Sequence, residues 1–142
     1  MRRIDRYTIF MAMVIILAAP YVEAAEDLDL SPLTGTWNNT DPNPGGIARI
    51  IISGEGGVAQ VQIFVACDSH LCDWGVVTAA VYGRNATSKR AVTFMTVYDS
   101  DSAEIVMTGR RIGDSLRVDL IVKYMEGSER PDNTLTEVFV RK

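Results

Sequence analysis

Between Ser115 and Met125 the chain alternates. Leu116, Val118, Leu120, Val122 and Tyr124 fall on one side, and Arg117, Asp119, Ile121 and Lys123 on the other. A period of two belongs to a strand with one buried and one wet face. Similar short runs rich in Val, Ile, Thr and Tyr recur along the chain, separated by Gly, Asn, Asp and Ser clusters, with no helical period of useful length. They predict eight strands: Leu33–Asn39, Ile47–Ser53, Val58–Cys67, Cys72–Gly83, Ala91–Asp99, Glu104–Arg111, Ser115–Met125 and Asn133–Arg141. The connectors "SGEGG", "GRNATSKR", "DSDSA" and "RIGD" read as hairpin turns. "EGSERPDN" reads as a longer loop that Pro131 keeps free of strand. Eight consecutive antiparallel strands joined by short turns predict an all-β, up-and-down barrel, because closure leaves no unprotected edge. A two-sheet β-sandwich is the alternative.

The first 24 residues follow a different pattern. Arg2, Arg3 and Arg6 precede an apolar run from Tyr7 to Val22, and Val22-Glu23-Ala24 has the small residues of a cleavage site. The run is short for a bilayer span, so residues 1–24 read as a signal peptide, with an uncleaved anchor as the alternative. Residues 25–32 form a polar lead into a single barrel domain over 33–142. The expected location is outside the cytoplasm, periplasmic or secreted, with no membrane span after cleavage. Removing the leader takes three arginines and two carboxylates, leaving 11 basic against 16 acidic side chains. That balance gives no general attraction for nucleic acid.

Nine residues, "CDSHLCDWG" from Cys67 to Gly75, gather both cysteines, the only histidine and one of two tryptophans. In an exported chain two cysteines favour a disulfide. Cys67, His70 and Cys72 are spaced three and two apart, unlike zinc frameworks built from two separated ligand pairs, so no metal is expected. If Cys67 faces Cys72 across a four-residue turn, Val65 lies opposite Trp74, Ile63 opposite Val76, Val61 opposite Thr78 and Ala59 opposite Ala80. That set is the more apolar face, which predicts that Trp74 and both sulfurs point inward.

"LTGTW", Leu33–Trp37, is similar to the opening of the calycin-type barrels, the lipocalins and avidins. In those families the tryptophan packs beneath the barrel against an arginine of the last strand, and Arg141 in "TEVFVRK" stands at the matching place. The resemblance implies a structural plug formed by Trp37 and Arg141. It does not extend to biotin, because tryptophans are absent after Trp74. Separately, "DPNPGGIARI" followed by C-x4-C-D-W-G resembles a group of small exported bacterial proteins with no assigned activity.

A meander places alternate loops at opposite ends. One end receives Asp41, Asp68, Asp73, Asp99, Asp101 and Glu126, with Glu129 and Asp132, an expected acidic rim around an open mouth. The other receives Arg84, Lys89, Arg90, Arg110, Arg111 and Lys142, against Glu55 and Asp114. Motifs for catalysis are lacking: no G-x-S-x-G elbow, no phosphate loop before a helix, and in "DSDSAE" no calcium-loop spacing. The expectation is a non-enzymatic barrel without a cofactor that binds a small molecule or a partner protein at its acidic end. Trp74, Tyr82, Phe94, Tyr98 and Tyr124 are the candidate lining residues. The alternative is an envelope component or a secreted, inhibitor-like module with a filled barrel.

Overall fold

The computed structural model describes residues 27–142. The expected signal peptide, 1–24, and the first residues of the polar lead lie outside the described residues. Eight strands run in order: β1 (Gly35–Asn39), β2 (Ile47–Glu55), β3 (Val58–Cys67), β4 (His70–Gly83), β5 (Ala91–Asp99), β6 (Ala103–Ile112), β7 (Ser115–Tyr124) and β8 (Asn133–Arg141). Each pairs with its sequence neighbours, and β1 pairs with β8 through Trp37↔Arg141, Asn38↔Val140 and Asn39↔Phe139. The result is a closed antiparallel barrel, which excludes the sandwich.

Inward-facing side chains from all eight strands fill the axis. Trp37, Ile50, Ile52, Val61, Ile63, Phe94, Met107, Leu116, Val118 and Phe139 are closed to solvent, and Ala79 of β4 joins them. The ring of Phe94 lies over Gly109 of the neighbouring strand. A methyl group built on Gly109 would sit 2.1 Å from Phe94 Cε1, so the ring occupies the space a side chain would need. Among the described residues the one buried polar side chain, Thr96, donates its hydroxyl to Thr78 O at 2.8 Å.

The base is sealed by the end of the expected polar lead together with Leu33, which was expected to open the first strand but lies before β1. Leu30 and Leu33 are buried in the core, and Asp29 N–H and O bond to Lys89 O and Ala91 N–H at 2.9 Å each. The apolar pair, separated by Ser-Pro, closes the end of the barrel while its polar neighbours stay wet. Trp37 and Arg141, the expected plug, meet there. Arg141 Cζ lies 4.6 Å from the Trp37 ring centroid, and Arg141 Nη2 donates to Pro32 O at 2.7 Å. Trp37 Nε1 donates to Leu33 O at 2.8 Å.

The β3–β4 hairpin corrects the expected register. Its turn has two residues, Asp68 and Ser69, so Cys67 pairs with His70, and Cys72 pairs with Val65. Two-residue turns match the twist of antiparallel strands, and Asp68 takes the positive φ (38°) such a turn requires. The disulfide forms diagonally, with Cα atoms 5.8 Å apart. Farther from the turn the register shifts between Gln62 and Phe64, where Trp74 and Gly75 together oppose Ile63. Gly75 has φ of 85°, a backbone conformation that favours glycine and suits a bulge. Below the bulge Val61 faces Val77, and Ala59 faces Ala79. The expected partners Thr78 and Ala80, with Val76, therefore turn to solvent.

Candidate functional site

Burial is graded along the axis. The barrel layers toward the base are between 0 and 3 % exposed, with the sealing Leu30 at 6 %, whereas Val65, Tyr98, Ile105, Leu120 and Val122, nearer the other end, keep between 5 and 9 % exposure. Above them, inward-facing Trp74 is 44 % exposed and Leu135 is 48 % exposed. The open end is thus a shallow cup with an apolar floor, and not the mouth of a deep cavity. Three open surface clefts, of about 540, 630 and 550 Å3, lie at the ends of the molecule. None is lined by Phe94, Tyr98 or Met107.

Trp74 rises from the bulge. Its ring stands 6.2 Å from that of Tyr98, tilted by 55°. Tyr98 is anchored below it, its hydroxyl directed at Val61 O (2.9 Å) and Gly75 O (3.2 Å). Burial pushes the Tyr98 hydroxyl well above the usual phenol range, and the nearby Asp73 carboxylate adds to that, so it stays a donor. Asp73 itself faces the outer wall. It accepts the Gly75 N–H at 2.8 Å and the Gln62 amide at 2.8 Å, which caps the bulge from outside. The stapled turn, the bulge and the Tyr98 anchor together hold Trp74 on rigid backbone.

The other expected lining residues scatter. Phe94 is core filling at 0 % exposure. Tyr82 lies on the outer wall, 45 % exposed, opposite Thr93. The expectation that it lined the interior fails because the bulge reverses the phase of β4 below Gly75. Tyr124 sits at the rim with Arg130 over its ring, 5.8 Å from the centroid.

The expected acidic rim occupies one end, as the meander requires. Asp41 lies in the β1–β2 loop, Asp68 in the stapled turn, Asp99 and Asp101 at the β5–β6 turn, and Glu126 after β7. The basic set from the β4–β5 and β6–β7 connections occupies the other. The rim carboxylates are dispersed: among the described residues no three His, Cys, Asp or Glu side chains are placed to share a metal ion. His70 Nε2 lies 3.7 Å from Cys72 Sγ, against the staple.

One carboxylate escaped the sequence reading. Glu137 is on the inward line of β8, between Leu135 and Phe139, where the short β1 has ended. It accepts the Ile47 N–H and the Asn39 amide, and its Oε2 is buried without a partner. Burial raises its pKa above the ordinary glutamate value, and Asp41 adds to the rise. The only signal in the sequence was a lone acid in phase with Leu135 and Phe139.

No protein-family model, curated protein or solved structure matches the chain. Function is therefore read from the geometry.

Proposed function

We propose that the protein is an exported, non-enzymatic interaction module that engages a partner protein through its acidic mouth. The observation that carries this reading is a contrast. The barrel axis is packed solid, yet Trp74 stands against Tyr98 and half exposed at a rim that also presents Leu71 and Met125. A filled axis argues against carriage of a small molecule inside the barrel. An anchored aromatic ringed by polar groups has the form of a protein-binding hot spot, since tryptophan contributes large contact area at low entropy cost. The carboxylates around it select a partner with a basic surface and speed its approach at low ionic strength. The disulfide, in keeping with an oxidising compartment, fixes the turn that carries the rim residue Asp68.

The test is site-specific photo-crosslinking in cells that make the protein. A photoreactive residue at Leu71 is expected to give one defined protein adduct that Trp74→Ala abolishes. The same residue at Arg117, on the outer wall, is expected to give none. Identical adducts from both positions, or an adduct indifferent to Trp74→Ala, would overturn the reading. Native mass spectrometry of the purified protein supplies a second arm: a retained small molecule on the intact chain would favour a carrier instead.

A further inference from the structure

The base of the barrel carries a site of the opposite sign. The β4–β5 connection runs beside the β6–β7 turn and the sealing segment, and they enclose a groove of about 540 Å3. Four cations line it, Arg84, Lys89, Arg90 and Arg111, together with Asn85 and Ser88, and none of its lining residues is acidic. A net-acidic chain that gathers four cations around one groove has concentrated positive potential there.

The groove is built on ordered backbone. Asn85 Oδ1 accepts the Thr87 N–H at 3.1 Å and the hydroxyls of Thr87 and Ser88 at 3.0 and 3.1 Å, while Ser88 Oγ accepts the Asn85 N–H at 3.0 Å. Arg111 is fixed by Gly113 O at 2.9 Å and Pro32 O at 3.3 Å, which directs its guanidinium across the groove wall. Its carboxylate partner, Asp114, is fully exposed and 3.8 Å away. Arg90 meets Asp29 at 3.5 Å, with both side chains at least half exposed. Arg84 has no ion pair or hydrogen bond among the described residues. Exposed pairs of this kind are weak and can be exchanged for a stronger anion. Guanidinium groups favour oxyanions in particular, because their planar fork matches two oxygens at once.

We propose that this basal groove binds a phosphate monoester. Its volume exceeds that of a free phosphate ion, and Pro32 and Val92 supply apolar surface for the body to which the phosphate is attached. The site is separate from the mouth, at the other end of a solid barrel, so it stands or falls independently of the partner proposed there.

The experiment is an amide chemical-shift titration of the mature chain with glucose 6-phosphate, with glucose as the neutral control. Co-sedimentation with phosphatidylglycerol and with phosphatidylcholine vesicles runs in parallel. Glucose 6-phosphate is expected to shift the amides of Asn85, Ser88, Arg90 and Gly113, while glucose shifts none. Arg84→Ala should weaken binding about tenfold, the loss of one charge-assisted contact. Lys123→Ala, at the mouth end, should leave it unchanged. Binding only to the anionic vesicles, and lost in Arg84→Ala, would keep the site and assign its phosphate to a lipid headgroup. No response to either probe, shifts spread over exposed cations elsewhere, or binding indifferent to Arg84→Ala would overturn the proposal.

Discussion

The packed axis is the premise on which the functional reading turns, and Gly109 tests it directly. In Gly109→Ala the new methyl would lie 2.1 Å from Phe94 Cε1, 2.5 Å from Cζ and 2.9 Å from Cδ1. Carbon atoms prefer about 3.5–4.0 Å, so the ring must move by more than an ångström. Phe94 is closed to solvent and surrounded by core, which leaves it nowhere to go without displacing neighbours. Overpacking of this kind costs about 1–3 kcal/mol, set against a gain of about 0.5–1 kcal/mol for replacing a strand glycine. A displacement of more than an ångström belongs in the upper half of that cost range, so the expected net loss is about 1–2 kcal/mol, or roughly 4–8 °C in Tm for a domain of this size. Urea unfolding followed by circular dichroism reads the first figure, and calorimetry the second. Phe94→Leu supplies the control: in that background Gly109→Ala should cost little, giving a coupling energy of at least about 1 kcal/mol. If Gly109→Ala is tolerated in the parent chain, the ring has free space beside it. The interior would then hold a usable cavity, and the case against small-molecule carriage would collapse.

Two further outcomes follow from the base and the mouth. Arg141→Met removes the 2.7 Å bond to Pro32 O and the cation over Trp37, and should cost about 1–2 kcal/mol. Arg141→Lys should recover only part of that, since an ammonium lacks the flat stacking face; full recovery by lysine in urea unfolding would refute the stacking argument. At the mouth, Glu137 binds its proton more tightly in the fold than in the unfolded chain. Stability should therefore fall as pH rises from the ordinary glutamate value through the raised one, and protonation should restore it. Glu137→Gln is expected to flatten that segment of the profile above the ordinary glutamate value and to be no less stable at neutral pH; an unchanged slope would rule out Glu137 as its source.

Most of the barrel was legible in the sequence because its signals are local. Strand β7 shows the alternation Leu116, Val118, Leu120, Val122 that its burial repeats, and β3, β5 and β8 begin and end where the residue pattern places them. The misreadings have one physical source, events that change the phase of a strand. Trp74 and Tyr82 are eight residues apart on β4 and would share a face in a regular strand. The bulge at Gly75 separates them, so one stands at the mouth and the other on the outer wall. A glycine in a strand can mark a bulge, but its effect depends on the partner strand, which lies outside the local window. The sealing role of Leu30 was missed for a related reason: a segment with polar neighbours reads as solvent-exposed until a barrel end is present for it to close.

Those non-local events also decide where function can reside. A regular β4 paired as expected would send Val76, Thr78 and Ala80 inward in place of the small Ala79 and of Val77. The bulge instead sets Val77 and Ala79 on the inner side, and Trp74 and Gly75 are left together over Ile63. The same irregularity that lets the wall pack leaves an inward-facing tryptophan at the rim, where Asp73 caps the distorted backbone and Tyr98 supports the ring. Bulges commonly re-aim a side chain near functional sites, and here the displaced residue is the largest in its strand. A chain selected only for a stable barrel would gain more by burying that ring, about 1.5–3 kcal/mol for a side chain of this class, than by leaving it half exposed. Its exposure, on backbone held by a disulfide and a capped bulge, is not required by the fold and is the observation on which the proposed binding role rests.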